Sequence, residues 1–180
     1  MASKRARVAG RGGVAACAVA VLVVAAAAPA GSAAAKKGFA PGSWSGRGVG
    51  SGSFELGGNA SPVAGKVTFQ LRVAKKSLAA RGTLHVQGTV TTEIEGLRGK
   101  VMVVGTLPLS GTGSAVGYAG MLGLNGTLTD GNATVPFKLT IPVAGKLLIG
   151  KASCSRVVGT TDARIPFTWS AVRSGGSACR

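Results

Sequence analysis

Four stretches of the chain alternate apolar and polar residues with a period of two. Val67, Phe69, Leu71 and Val73 alternate with Thr68, Gln70 and Arg72. Leu84, Val86, Val90 and Ile94 alternate with His85, Gln87, Thr89, Thr91 and Glu93. Val135, Phe137, Leu139 and Ile141 alternate with Pro136, Lys138 and Thr140, and Ile165, Phe167, Trp169 and Ala171 with Pro166, Thr168 and Ser170. Successive side chains of a strand point to opposite faces, so each run reads as an antiparallel strand with one buried face. Turn signals separate the runs at Gly57-Gly58-Asn59, Gly111-Thr112-Gly113, Asp130-Gly131-Asn132 and Gly145-Lys146. No stretch of the mature chain carries a helical stripe, and Lys75 to Arg81 has room for one short turn. The fold class predicted is all-β: a small antiparallel β-barrel, with a β-sandwich as the alternative. Gly88, Gly105 and Gly117 within strands favour the strong coiling of a closed barrel. Pro136 and Pro166 cannot donate to a ladder and are expected at a strand edge or bulge.

The start of the chain has a different character. Lys4, Arg5, Arg7 and Arg11 form a cationic segment without an acid, and Val14 to Ala28 is an unbroken apolar run. Ala28-Pro29-Ala30 and Ala33-Ala34-Ala35 both offer small-residue cleavage sites. This order is that of a secretory signal peptide, and the run is short for a membrane span. The organisation expected is a signal peptide over 1–30, with cleavage as late as 35, a flexible arm over 31–42 and one barrel domain over 43–180. The protein is therefore expected outside the cytoplasm, secreted or associated with the cell envelope. Its Ala, Gly, Val and Arg richness points to a GC-rich bacterial genome.

Cleavage would remove Cys17 and leave Cys154 and Cys179 in a compartment that permits disulfides. These two are expected to be joined. Charge survives processing. Residues 31–180 keep 17 of the 21 Lys and Arg and all five acids, which leaves +12. Such a domain is drawn to anionic surfaces. Lys75, Lys76, Arg81, Arg98 and Lys100 fall in or near turns and are the candidate contacts for an anionic envelope polymer. Nucleic acid is not the expected partner, because binding it would call for exposed aromatic platforms among the cations.

No catalytic or metal-binding constellation is evident, and no cofactor is predicted. His85, the one histidine, sits on the polar face of its strand with no nucleophile beside it in the pattern. Glu93 and Glu95 are two apart and expected on one strand face, where they pair loosely with Arg98 and Lys100 rather than acting as a glycosidase pair.

Gly42-Ser43-Trp44 resembles the G-x-W that opens the first barrel strand of lipocalins soon after the signal peptide. The family's T-D-Y element is echoed in part at Thr129-Asp130-Gly131 and Thr161-Asp162-Ala163, neither with a Tyr. The resemblance implies an eight-stranded calycin-type barrel whose apolar interior holds a small ligand. The residues expected to line such an interior are Trp44, Val67, Phe69, Leu71, Leu139 and Trp169. The function expected is non-enzymatic binding of an apolar small molecule inside, or of an anionic polymer outside. The alternative is a structural or adhesive envelope protein with a filled core, and a small-barrel enzyme is the reading least favoured.

Overall fold

The computed structural model describes residues 38–163 and 165–174. The segment over 1–30 that is expected to be a signal peptide, and Cys17 and Cys179, lie outside the described residues. Eight strands follow one another: β1 (Gly42–Leu56), β2 (Asn59–Val73), β3 (Ala79–Ile94), β4 (Leu97–Thr112), β5 (Ala115–Thr129), β6 (Thr134–Ala152), β7 (Arg156–Asp162) and β8 (Phe167–Ser174). Each pairs antiparallel with the next, and β8 returns to β1, so the sheet closes into a barrel. All eight strands lie within 42–174, so a chain that begins at Gly31 contains the whole fold.

The alternation works as the sequence predicts. Val67, Phe69, Leu71 and Val73 point inward and are buried, while Thr68, Gln70 and Arg72 point out and are exposed. β3, β4 and β5 repeat the pattern. The barrel is apolar inside, and its outer face is mixed, with exposed Val49, Met102, Val104, Met121 and Val172 among the Thr, Gln, Lys and Arg.

β1 is more regular than its composition suggests. Gly46, Gly48, Gly50 and Gly52 share the inward face with Trp44 and Phe54. A Cβ at Gly46 would strike the ring of Phe69, and one at Gly48 would strike Trp169. The glycines are the floor on which neighbouring aromatics lie. Of the arm expected over 31–42, residues 38–42 are anchored rather than loose. Phe39 is 3% exposed within the core, and its N–H donates to the Gly113 carbonyl at 2.6 Å.

The turns follow their backbone chemistry. Gly57 and Gly58 both have positive φ and close the β1–β2 hairpin between Leu56 and Asn59. Asp130 caps the β5–β6 turn, its Oδ1 accepting the N–H groups of Asn132 and Ala133 at 2.8 Å each. Those two bonds hold its carboxyl below the usual aspartate value. Two expectations are corrected. Gly145-Lys146 is not a turn but the interior of β6, and Gly145 is small because a Cβ there would meet the Tyr118 ring. Glu95 does not share a strand face with Glu93. β3 ends at Ile94, and Glu95 with Gly96 forms the two-residue β3–β4 hairpin loop, with φ of 52° and 82°. The signal was Glu-Gly between two apolar runs, in the place usually taken by Asn-Gly. Glu93 remains on its strand and accepts from Arg98 Nε at 2.7 Å.

A side chain with a Cβ is strained in the left-handed region that Glu95 occupies. Replacing Glu95→Gly, or with Asn, is expected to raise stability by about 0.5–1 kcal/mol. Thermal and urea unfolding of the two variants check it, and a lower melting temperature in both would contradict the assignment of this turn.

Candidate functional site

The barrel has two unlike ends. One end carries the β2–β3, β4–β5 and β6–β7 turns and the segment around Phe39. The other carries the β1–β2, β3–β4, β5–β6 and β7–β8 connections. The first end is closed by aromatic packing. Phe39 meets Trp44 edge-on with centroids 5.3 Å apart, stacks on Trp169 at 5.7 Å, and meets Phe69 edge-on at 6.3 Å. Phe69 and Trp169 close the set at 5.4 Å. Trp44 Nε1 donates to the Ala40 carbonyl at 2.8 Å, which ties the segment before β1 to the plug.

Five of the six residues expected to line a cavity therefore lie in or beside solid core. Trp44, Val67, Phe69, Leu71 and Trp169 are buried at this plugged end. The sixth, Leu139, is 39% exposed on the first half of β6, where no strand covers its second side.

The cavity is elsewhere, and strand length accounts for its position. β7 and β8 have 7 and 8 residues, whereas β1 has 15 and β6 has 19. β8 pairs with β1 only from Ser43 to Gly50, and β7 with β6 only from Lys146 to Ala152. Beyond those limits β1 (51–56) and β6 (134–145) face each other across a window, with only the connection after Asp162 between them. Behind the window lies a cavity of about 510 Å³. Its walls are Phe54 and Leu56 of β1, Leu84 and Val86 of β3, Leu107 of β4 and Leu122 of β5. Ile141 and Val143 of β6 line it with Ala163 and Ile165, and so does Phe167 of β8. The volume lies within the range of about 300–1,000 Å³ usual for small-molecule sites.

A buried polar group borders this apolar lining. Tyr118 of β5 is 8% exposed and borders the cavity. Burial raises its phenol above the ordinary value of 10.0, a hydrogen bond with Thr161 works against that rise, and Asp162 adds to it. Thr161 is itself buried at the end of β7. Its hydroxyl accepts the Phe167 N–H at 2.9 Å and donates to the Ile165 carbonyl at 3.3 Å. Thr161 thus pins the short β7–β8 connection that edges the window. Glu55 also borders the cavity, at the exposed rim.

The other candidate residues do not form one site. Lys75, Lys76 and Arg81 are exposed at the plugged end, while Arg98 and Lys100 begin β4 at the opposite end. His85 is exposed on the outer wall, its Nδ1 2.8 Å from Thr106 Oγ1. Cys154 sits half-buried in the β6–β7 turn. Among the described residues no three His, Cys, Asp or Glu side chains gather as metal ligands would. The cavity escaped sequence reasoning because it follows from unequal strand lengths, which alternation does not reveal. No protein-family model matches the chain, and no curated protein matches it either.

Tyr118 is the one tyrosine of the chain, so its ionisation can be followed alone. An alkaline titration by phenolate absorbance is expected to show a pKa above 10.0 in the folded protein, and an ordinary one in urea. Because the folded pKa is the higher, the native state loses stability as pH rises from the unfolded pKa through the folded one. A folded-state titration at or below the ordinary value would contradict the burial of this group.

Proposed function

We propose that the protein is an exported, non-enzymatic barrel that binds an apolar small molecule in the cavity behind the β1–β6 window. The observation that carries the reading is the cavity of about 510 Å³, walled by Phe54, Leu84, Leu107, Leu122, Ile141 and Val143, with Tyr118 as its buried polar group. Apolar surface on such a wall recovers the free energy of its hydration when a ligand covers it, at about 25 cal/mol per Å². A single hydroxyl then orients the ligand by one hydrogen bond. The ligand class that fits is a largely hydrocarbon molecule with one hydrogen-bonding group. The lipocalin resemblance is consistent with this reading, since eight sequential antiparallel strands follow Gly42-Ser43-Trp44. Export rests on the signal-peptide pattern of the first thirty residues.

The test is uptake of the neutral apolar fluorophore Nile red by the chain beginning at Gly31. Saturable fluorescence enhancement is expected. Ala163→Trp places a large ring at the mouth, outside any strand, and is expected to weaken uptake at least about tenfold while the barrel stays folded. Absence of saturable uptake by the folded protein would favour a structural role with a filled core.

A disulfide between Cys154 and Cys179 belongs to the same reading of an exported domain. Arg173 N–H donates to the Ser155 carbonyl at 2.9 Å, so β8 ends beside the turn that holds Cys154. Four residues lie between Ser174 and Cys179, and at up to about 3.3 Å per residue the chain can reach back. Non-reducing peptide mapping of the exported protein is expected to recover the Cys154–Cys179 cross-link. Removing the bond should cost about 2–5 kcal/mol of stability. Two free thiols in the mature protein would refute the pairing.

A further inference from the structure

The carboxylates of the described residues avoid one end of the barrel, where six exposed cations gather. Arg72 and Arg81 lie directly opposite each other on β2 and β3, and the turn between those strands adds Lys75 and Lys76. Across the same end, Lys151 finishes β6 and Arg156 begins β7. All six are exposed. The acids are elsewhere. Glu55, Glu93, Glu95 and Asp130 are at or next to the turns of the opposite end, and Asp162 is part-way up the wall, opposite Lys146. No carboxylate among the described residues is on the plugged rim.

Like charges directly opposite on neighbouring strands are destabilising. Arg72 and Arg81 are held together without an acid to relieve them, and a fold under no other constraint gains nothing from that. The rim also has an apolar element. Leu78, in the β2–β3 turn, is 41% exposed with a φ of 54°. Its carbonyl accepts the Gly113 N–H at 2.9 Å, which fixes the turn against the β4–β5 hairpin. Beside it the rim is completed by Ala40, Pro41 and Ala152.

We propose that this end of the barrel docks on the surface of a phospholipid bilayer that contains anionic lipid. The cations are spread round the rim, on the β2–β3 side and on the β6–β7 side, and do not line a groove. A rim of like charge is matched by a plane of opposite charge, whereas a single polymer strand would be matched by a linear track. A basic cluster within a Debye length of an anionic leaflet gains from each Lys or Arg, and an exposed leucine among them suits the boundary between headgroups and acyl chains. In this orientation the four acids of the opposite rim point away from the lipid, and the β1–β6 window opens above the docked rim.

The experiment is flotation of the chain beginning at Gly31 with vesicles of phosphatidylcholine alone or with about one third phosphatidylglycerol. Binding is expected only to the anionic vesicles, and is expected to fall as salt rises. The double reversal Lys75→Glu with Lys76→Glu is expected to reduce binding at least about tenfold. Lys151→Glu with Arg156→Glu, on the far side of the rim, should do the same and serves if the first variant does not fold. Arg98→Glu with Lys100→Glu changes the net charge equally at the other end and is expected to leave binding nearly intact. Equal loss from reversals at both ends would overturn the proposal in favour of net charge alone. Failure to float with anionic vesicles would also overturn it, including the case in which the protein binds only soluble polyphosphate. Nile red uptake, which reads the cavity, is expected to be the same in all these variants.

Discussion

The packing of large rings onto a glycine-lined strand is what the rest of the molecule depends on. β1 closes the ring with β2 on one side and β8 on the other, and it does so with glycine at every inward position from 46 to 52. Those positions leave room above the strand. Phe69 from β2 and Trp169 from β8 occupy it, and Phe39 lies between them. Each ring buried is worth about 1.5–3 kcal/mol in apolar transfer, and each good aromatic pair about 0.5–1.5 kcal/mol more. With four aromatics concentrated at one end, closure does not require the whole interior to be filled. The plug stabilises one half of the barrel, and the other half can keep a cavity.

The second consequence concerns the wall. Two short strands, β8 beside the glycine floor and β7 next to it, are enough to complete the ring at the plugged end. Their shortness leaves β1 after Gly50 and β6 before Lys146 paired on one side only. Thr161 controls where the short strands stop. Its hydroxyl satisfies the Phe167 N–H and meets the Ile165 carbonyl, so the chain turns there without leaving those backbone groups bare in a buried place. One buried threonine thus sets the lower edge of the window, while the Tyr118 side chain it touches supplies the polar point within it.

Much of the frame was legible in the sequence because period-two alternation is a direct record of which face is buried. The β2 and β3 faces follow from it residue by residue, and β8 does so from Phe167 onward, Ile165 and Pro166 lying before the strand rather than in it. Pro136 was expected at an edge, and it is exposed on the half of β6 with no second partner. Alternation failed where a small residue replaced the apolar one. The Gly46, Gly48, Gly50 and Gly52 series has a period of two of its own, but glycine also fits a loose segment, and the inward side of β1 carries no hydrophobic mark there. Gly145 misled in the same way: its smallness serves the Tyr118 ring, not a turn. The cavity was out of reach for another reason. Sequence pattern assigns Leu139 and Phe69 the same inward parity, but only the length of the neighbouring strand decides that Leu139 is left half uncovered while Phe69 is sealed.

The free edges of the window bear on what can enter it. An unpaired strand edge beside an apolar opening invites another strand, from a peptide or from a second copy of the chain. On β6 that stretch contains Pro136 and Pro142, which have no N–H to give to an incoming strand. Their positions share one parity, and they pair by register with Thr127 and Met121 of β5. Proline tolerated twice on one strand is proline whose missing donors would face away from the ladder, toward the open side. An added strand would therefore meet two gaps within seven residues on this edge. A small molecule makes no demand on the ladder, since it is held by side chains from the barrel interior. The edge chemistry of β6 thus works against strand addition on that side of the window.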